Sequence, residues 1–78
     1  MRVHDLDSSA IARAAYDEGS ATLDLWYRGG DRYRYFGVPP EAFDALISAP
    51  SAGEYVNRQI KEAYRFETEA RRKRFRPE

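Results

Sequence analysis

The chain contains no cysteine and a single histidine, His4. Without cysteine there is no disulfide framework, thiolate zinc site, redox pair or cysteine nucleophile, and one imidazole is too few for a histidine metal centre. No long apolar run occurs, so no segment reads as a membrane-spanning helix, and Met1-Arg2-Val3-His4-Asp5 lacks the apolar stretch of a signal peptide. These absences predict a reducing, cytoplasmic setting with no membrane, metal or other cofactor. An excess of either charge is missing too: 13 Lys and Arg balance 13 Asp and Glu. A global attraction to nucleic acid is therefore not expected. The charge is nevertheless uneven, with five basic and nine acidic residues in 1–54 against eight and four in 55–78. The densest basic run is Arg71-Arg72-Lys73-Arg74, with Arg76 just beyond.

Large aliphatic side chains are also scarce. Of the 42% of residues that are hydrophobic, 11 are alanine, whereas tyrosine contributes six, phenylalanine four and tryptophan one. A core made of these residues is built largely from rings, with tyrosines at its margin where their hydroxyls find partners. A length of 78 residues leaves room for one domain, and a chain this short buries only about 60% of its unfolded surface. The expected core is small.

Residues 1–9 are polar and read as a loosely held lead-in. Ala10 to Tyr16 is short, apolar and closed by Asp17-Glu18-Gly19-Ser20, which reads as a strand ending in a turn. Thr22 to Arg28 alternates, with Leu23, Leu25 and Tyr27 on one face and Asp24, Trp26 and Arg28 on the other. Gly29-Gly30-Asp31 permits a tight hairpin, and Arg32-Tyr33-Arg34-Tyr35-Phe36 alternates again. Gly37-Val38-Pro39-Pro40 ends the sheet, because consecutive prolines cannot donate to a ladder. Pro40 suits the first turn of a helix in which Ala42, Phe43, Leu46 and Ile47 share a face. Ser51-Ala52-Gly53-Glu54 is a capping box opening a second helix, with Tyr55, Val56, Gln59, Ile60, Ala63 and Tyr64 near one side. After Tyr64 the pattern forks. Tyr64, Phe66 and Thr68 alternate as a strand would, while Glu67–Arg71 and Glu69–Lys73 are helix-compatible pairs. We take the helix to end near Tyr64 and residues 69–78 to form a basic tail. The expectation is a single α+β domain over 10–68, β-β-β-α-α, with two helices packed on one face of a three-stranded antiparallel sheet.

Several of these segments together resemble the KTSC domain, named for its occurrence at the C-terminus of some lysyl-tRNA synthetases. The residues that carry the resemblance begin with Ser8-Ser9-Ala10-Ile11, Tyr16-Asp17 and Leu23-x-Leu25-x-Tyr27. They continue with Tyr33-Arg34-Tyr35-Phe36, Val38-Pro39-Pro40, Ala49-Pro50-Ser51-x-Gly53 and Asn57-x-x-Ile60. About three quarters of the chain is covered, from Ser8 to about Phe66. The resemblance implies a stand-alone bacterial α+β module of unassigned function, with RNA binding suggested by the synthetase association. The Arg/Lys-rich stretch after Thr68 lies outside it.

Two surfaces are candidates for function. If Leu23, Leu25 and Tyr27 mark the core face, alternation places Tyr33 and Tyr35 with them beneath the helices. Tyr33, Tyr35, Pro39, Pro40, Ser51 and Gly53 then read as structural. Asn57 is grouped with them, but it has no evident role and could cap, bridge to the sheet or contact a ligand. The opposite face would expose Trp26, Arg28, Arg32, Arg34 and Phe36. Rings interleaved with guanidinium groups suit RNA or single-stranded nucleic acid through base stacking and phosphate contact. They equally suit a protein partner or self-association, since Trp and Arg favour interfaces. A plain surface on which the arginines pair with Asp24 and Asp31 is a third reading. Arg71, Arg72, Lys73 and Arg74 could add salt-sensitive phosphate contacts, or form a solvated terminus. For catalysis only His4 with Asp5, Asp7, Ser8 and Ser9 merits a test. Neighbours along a polar terminus rarely attain the fixed geometry that a nucleophile and base require, and no enzyme is expected.

Overall fold

The computed structural model describes residues 2–69. Five strands form one antiparallel sheet in sequence order: β1 (Arg2–Asp5), β2 (Ile11–Asp17), β3 (Thr22–Tyr27), β4 (Arg32–Tyr35) and β5 (Phe66–Glu69). Between β4 and β5 come helix α1 (Pro40–Ser48), the single helical turn α2 (Ala52–Tyr55) and a π-helical turn at Val56–Ile60. The antiparallel α+β arrangement with two helices agrees with the sequence reading. The strand count is corrected from three to five.

Both extra strands are polar, which explains their weak signal. β1 has Val3 as its one aliphatic residue, and that side chain is 55% exposed. The strand is held by tertiary contacts instead. Its Arg2 pairs with Glu18 and Asp44 and places its guanidinium 5.1 Å from the Phe43 ring centroid. At the other edge Phe66 opens β5 and packs on Tyr35 and Tyr33, with centroids 5.5 and 5.6 Å away. Phe36 N–H donates to the Arg65 carbonyl at 2.9 Å, so the ladder returns to β4 where a break and tail were expected.

Register fixes the two faces. Leu23 lies opposite Tyr35 and Leu25 opposite Tyr33, as alternation requires. A register shift between Ile11 and Arg13 lets Ile11 and Ala14, three positions apart, both be fully buried. The helix-bearing face is filled by Tyr16, Leu23, Leu25, Tyr35, Val38, Phe43, Leu46, Val56 and Ile60. Tyr16 stacks on Phe43 at 5.3 Å, and its hydroxyl donates to the Val38 carbonyl.

The loops follow from local chemistry. Ser8 Oγ accepts from the N–H groups of Ala10 and Ile11 at 3.1 and 3.3 Å, closing the β1–β2 link. Gly30, at φ 105°, completes the β3–β4 hairpin. Pro40 stands at the start of α1, and Ser51 Oγ accepts from Glu54 N–H at 3.4 Å. A Cβ on Gly53 would lie 3.3 Å from the Ala10 Cβ, so glycine allows α2 to sit close against the start of β2. The second helix is shorter than expected: only Ala52–Tyr55 is α-helical, and the Lys61 N–H reaches back five residues to the Val56 carbonyl. Val56 and Ile60 are buried, whereas Gln59 and Ala63, expected on the same side, are exposed. No helix among the described residues is long and apolar enough to cross a membrane.

Candidate functional site

The uncovered sheet face carries two cross-strand rows. In one, Asp5 lies opposite Arg13, Arg13 opposite Trp26, and Trp26 opposite Arg32. In the other, Ala15 faces Asp24, Asp24 faces Arg34, and Arg34 faces Glu67. Trp26, Arg32 and Arg34 thus share a face, but not as an open array. Trp26 is half-buried, correcting the expectation of an exposed ring, and the Arg32 guanidinium lies 5.2 Å from its centroid. Asp24 is 7% exposed and sits between the two arginines. Arg34 reaches it through Nε and a terminal nitrogen at 2.8 and 3.2 Å, and Arg32 at 3.2 Å. Of the three readings of this face, pairing through Asp24 has the most direct geometric support.

The other expected members disperse. Arg28 follows β3, and its guanidinium donates to the carbonyls of Ser8 and Leu6, tying the β1–β2 link to the hairpin. Phe36 follows β4, is half-buried and forms no ring pair among the described residues. Arg71, Arg72, Lys73 and Arg74 lie outside the described residues. The His4 grouping is not assembled: His4 projects to the helix side with its ring 5.9 Å from Phe43, while Asp5 projects to the uncovered face and pairs with Arg13 at 2.9 Å. Ser8 is held in its turn. Among the described residues no set of His, Asp and Glu is placed to hold a metal ion.

The arginine–carboxylate clamp has a measurable consequence. Asp24→Asn should lower the unfolding free energy by about 1–3 kcal/mol, because it leaves two guanidinium groups without their central carboxylate. Full loss of a buried pair would be larger; here both arginines are partly exposed and water screens them. Urea denaturation of the variant measures it, and an unchanged midpoint would reduce the clamp to a surface pair of no energetic weight.

On the helix side the tyrosines form a ring cluster. Tyr33 lies 5.1 Å from Tyr27 and 6.2 Å from Tyr35, centroid to centroid. Burial pushes the pKa values of Tyr27 and Tyr35 upward. Beside this cluster the hairpin and the π-helical turn enclose a cleft of about 370 Å³, lined by Tyr27, Tyr33, Tyr35, Asp31, Asn57 and Lys61 among others. Asn57 is thus placed at a cleft rather than in the core. The sequence reading missed Lys61 and Tyr27 here. The signal available was the four-residue spacing from Asn57 to Lys61.

A family model for the KTSC domain matches residues 7–64. The chain belongs to the KTSC domain family. It is 45% identical over 60 residues to a protein of Tsukamurella paurometabola, covering 77% of this chain and 90% of that one. A lysine–tRNA ligase of Nostoc punctiforme is 36% identical over 61 residues, covering 78% of this chain but only 11% of the ligase. The crystal structure of a KTSC domain protein from Yersinia pestis superposes with a TM-score of 0.81 at 28% identity, covering 88% of this chain and 97% of that one. The KTSC domain thus occurs both as nearly a whole small protein and as a minor part of a large enzyme.

Within this KTSC domain, Ser8 and Ser51 close turns through their hydroxyls, Gly53 permits close packing, and Tyr16, Tyr35 and Val38 are buried. Asn57 is exposed and lines the cleft.

Proposed function

We propose that this KTSC domain is a protein-recognition module of the cytoplasm, without catalytic activity, whose contact surface is the sheet face around Trp26. One observation carries this reading: the carboxylate of Asp24 lies between Arg32 and Arg34 on that face. A phosphate would have to displace a charge-assisted, partly buried pair before gaining anything from those guanidinium groups. The domain's charge points the same way, since residues 2–69 carry eight Lys and Arg against twelve Asp and Glu, a net −4. Tracking the many phosphates of a nucleic-acid backbone calls for the opposite balance. The face keeps a half-buried indole flanked by charges of both signs, which suits an apolar side chain of another protein set among complementary charges.

The RNA reading rests on a different observation, the presence of a related segment in a lysine–tRNA ligase. The two are separated by photocrosslinking in the source cells from a benzoylphenylalanine placed at Val3, an exposed position in the same sheet layer as Ala15 and Asp24. A discrete protein adduct, resistant to ribonuclease and lost with Trp26→Ala, is the expected result. A ribonuclease-sensitive adduct, or an adduct indifferent to Trp26, would overturn the proposal.

A further inference from the structure

We propose that the cleft between the β3–β4 hairpin and the π-helical turn binds a small organic anion, a carboxylate or phosphate carried on a ligand of up to mononucleotide size. This site lies on the helix-bearing side, away from Trp26, and does not depend on the reading of the uncovered face. Its volume, about 370 Å³, falls near the lower end of ligand pockets, roughly 300–1,000 Å³.

The donors come from two separate elements. Tyr27 ends β3, and Asn57 and Lys61 come from the π-helical turn and the residue after it. A π-helical turn widens the helix by one residue, and such insertions concentrate at functional sites. Here it carries Asn57 to the cleft while Val56 and Ile60 remain fully buried. The Tyr27 hydroxyl lines the cleft and can donate to a ligand. The Asn57 amide adds two N–H donors and the Lys61 ammonium three more with a positive charge. The phenols are neutral at physiological pH, as burial raises both pKa values. Donors therefore outnumber acceptors, and the one opposing carboxylate in the lining, Asp31, belongs to the exposed hairpin tip. An acceptor-rich anion is the complementary ligand. The aromatic wall favours an anion with an apolar or planar body over a bare ion.

Titration of the full-length, 15N-labelled chain with nucleoside 5′-monophosphates, 4-hydroxybenzoate and inorganic phosphate, each at 150 mM NaCl, tests this. The expected result is saturable shifts at the Asn57 side-chain amide, Lys61 and Gly29 with at least one organic anion, and weaker ones with inorganic phosphate. Which organic probe saturates first distinguishes a phosphate from a carboxylate source. Lys61→Met and Asn57→Asp should each weaken binding by roughly tenfold, the size of one lost charge-assisted hydrogen bond. Both positions are exposed, so neither change threatens the fold, and the unchanged dispersion of the variant spectra verifies that. No saturable shift at 10 mM ligand, shifts confined to residues 71–76, or full binding by both variants would overturn the proposal.

Discussion

Tyr35→Ala should remove about 3–5 kcal/mol of stability, the range for truncating a buried aromatic ring, whereas Trp26→Ala should cost about 1 kcal/mol or less. Both rings lie in the central part of the sheet, on adjacent strands, and differ only in the face they occupy. Tyr35 is fully buried. It lies opposite Leu23 on β3 and packs against Tyr33 and Phe66. Removing it opens a cavity beneath the helices and takes away one of the two rings on which Phe66 rests. Trp26 is half-buried on the open face, where the Arg32 guanidinium lies over its ring. Cation–π contacts at such sites are worth about 0.5–1 kcal/mol. A domain of this size holds about 4–12 kcal/mol in all, so the first change takes a large share of the margin and the second a small part. Thermal and urea melts of the two variants decide it. Equal damage, or greater damage from Trp26→Ala, would mean that the uncovered face is itself a second core.

That contrast follows from a pattern visible in the sequence, because period-two alternation in Thr22–Tyr27 and Arg32–Tyr35 leaves only one way to bury Leu23, Leu25 and Tyr35 together. The two prolines and the Ser51 cap likewise mark the start of each helix by rules that act within a few residues. The edge strands escape such rules. Arg2-Val3-His4-Asp5 becomes a strand because Arg2 meets Glu18, Asp44 and Phe43, residues distant in sequence. Phe66–Glu69 pairs with β4 across the whole helical segment that separates them in the chain. The same distance effect governs the sites. Trp26, Arg32 and Arg34 could be placed on one face from parity alone, but that Asp24 lies between the arginines, and that Arg28 turns away to the Leu6 and Ser8 carbonyls, depends on three-dimensional placement. Asn57 stood out in the sequence as a polar residue without a structural task. The π-helical turn that carries it to the cleft has no local sequence signature of the kind that prolines and caps provide.

The same ring-rich core predicts an abrupt loss of stability in alkali. Tyr16, Tyr27 and Tyr35 all have pKa values raised above the ordinary 10, in each case mainly through burial. Below pH 10 folded and unfolded chains both keep these protons, and stability is unaffected. Above it the unfolded chain releases them while the folded domain still holds them, so rising pH favours unfolding until the folded-state values are reached. The slope is at most about 1.4 kcal/mol per pH unit for each tyrosine, and each contribution stops growing once its own folded-state value is reached. Urea melts at pH 8, 9, 10 and 11 should give constant stability at the first two and a steep fall at the last. Tyr16→Phe separates the tyrosines from a general charge effect. At pH 8 it should cost about 1–1.5 kcal/mol for the lost bond to the Val38 carbonyl, yet at pH 11 its disadvantage should shrink or reverse, because it has one fewer buried proton to lose. Parallel pH profiles for variant and parent would show that the alkaline limb does not originate in the core.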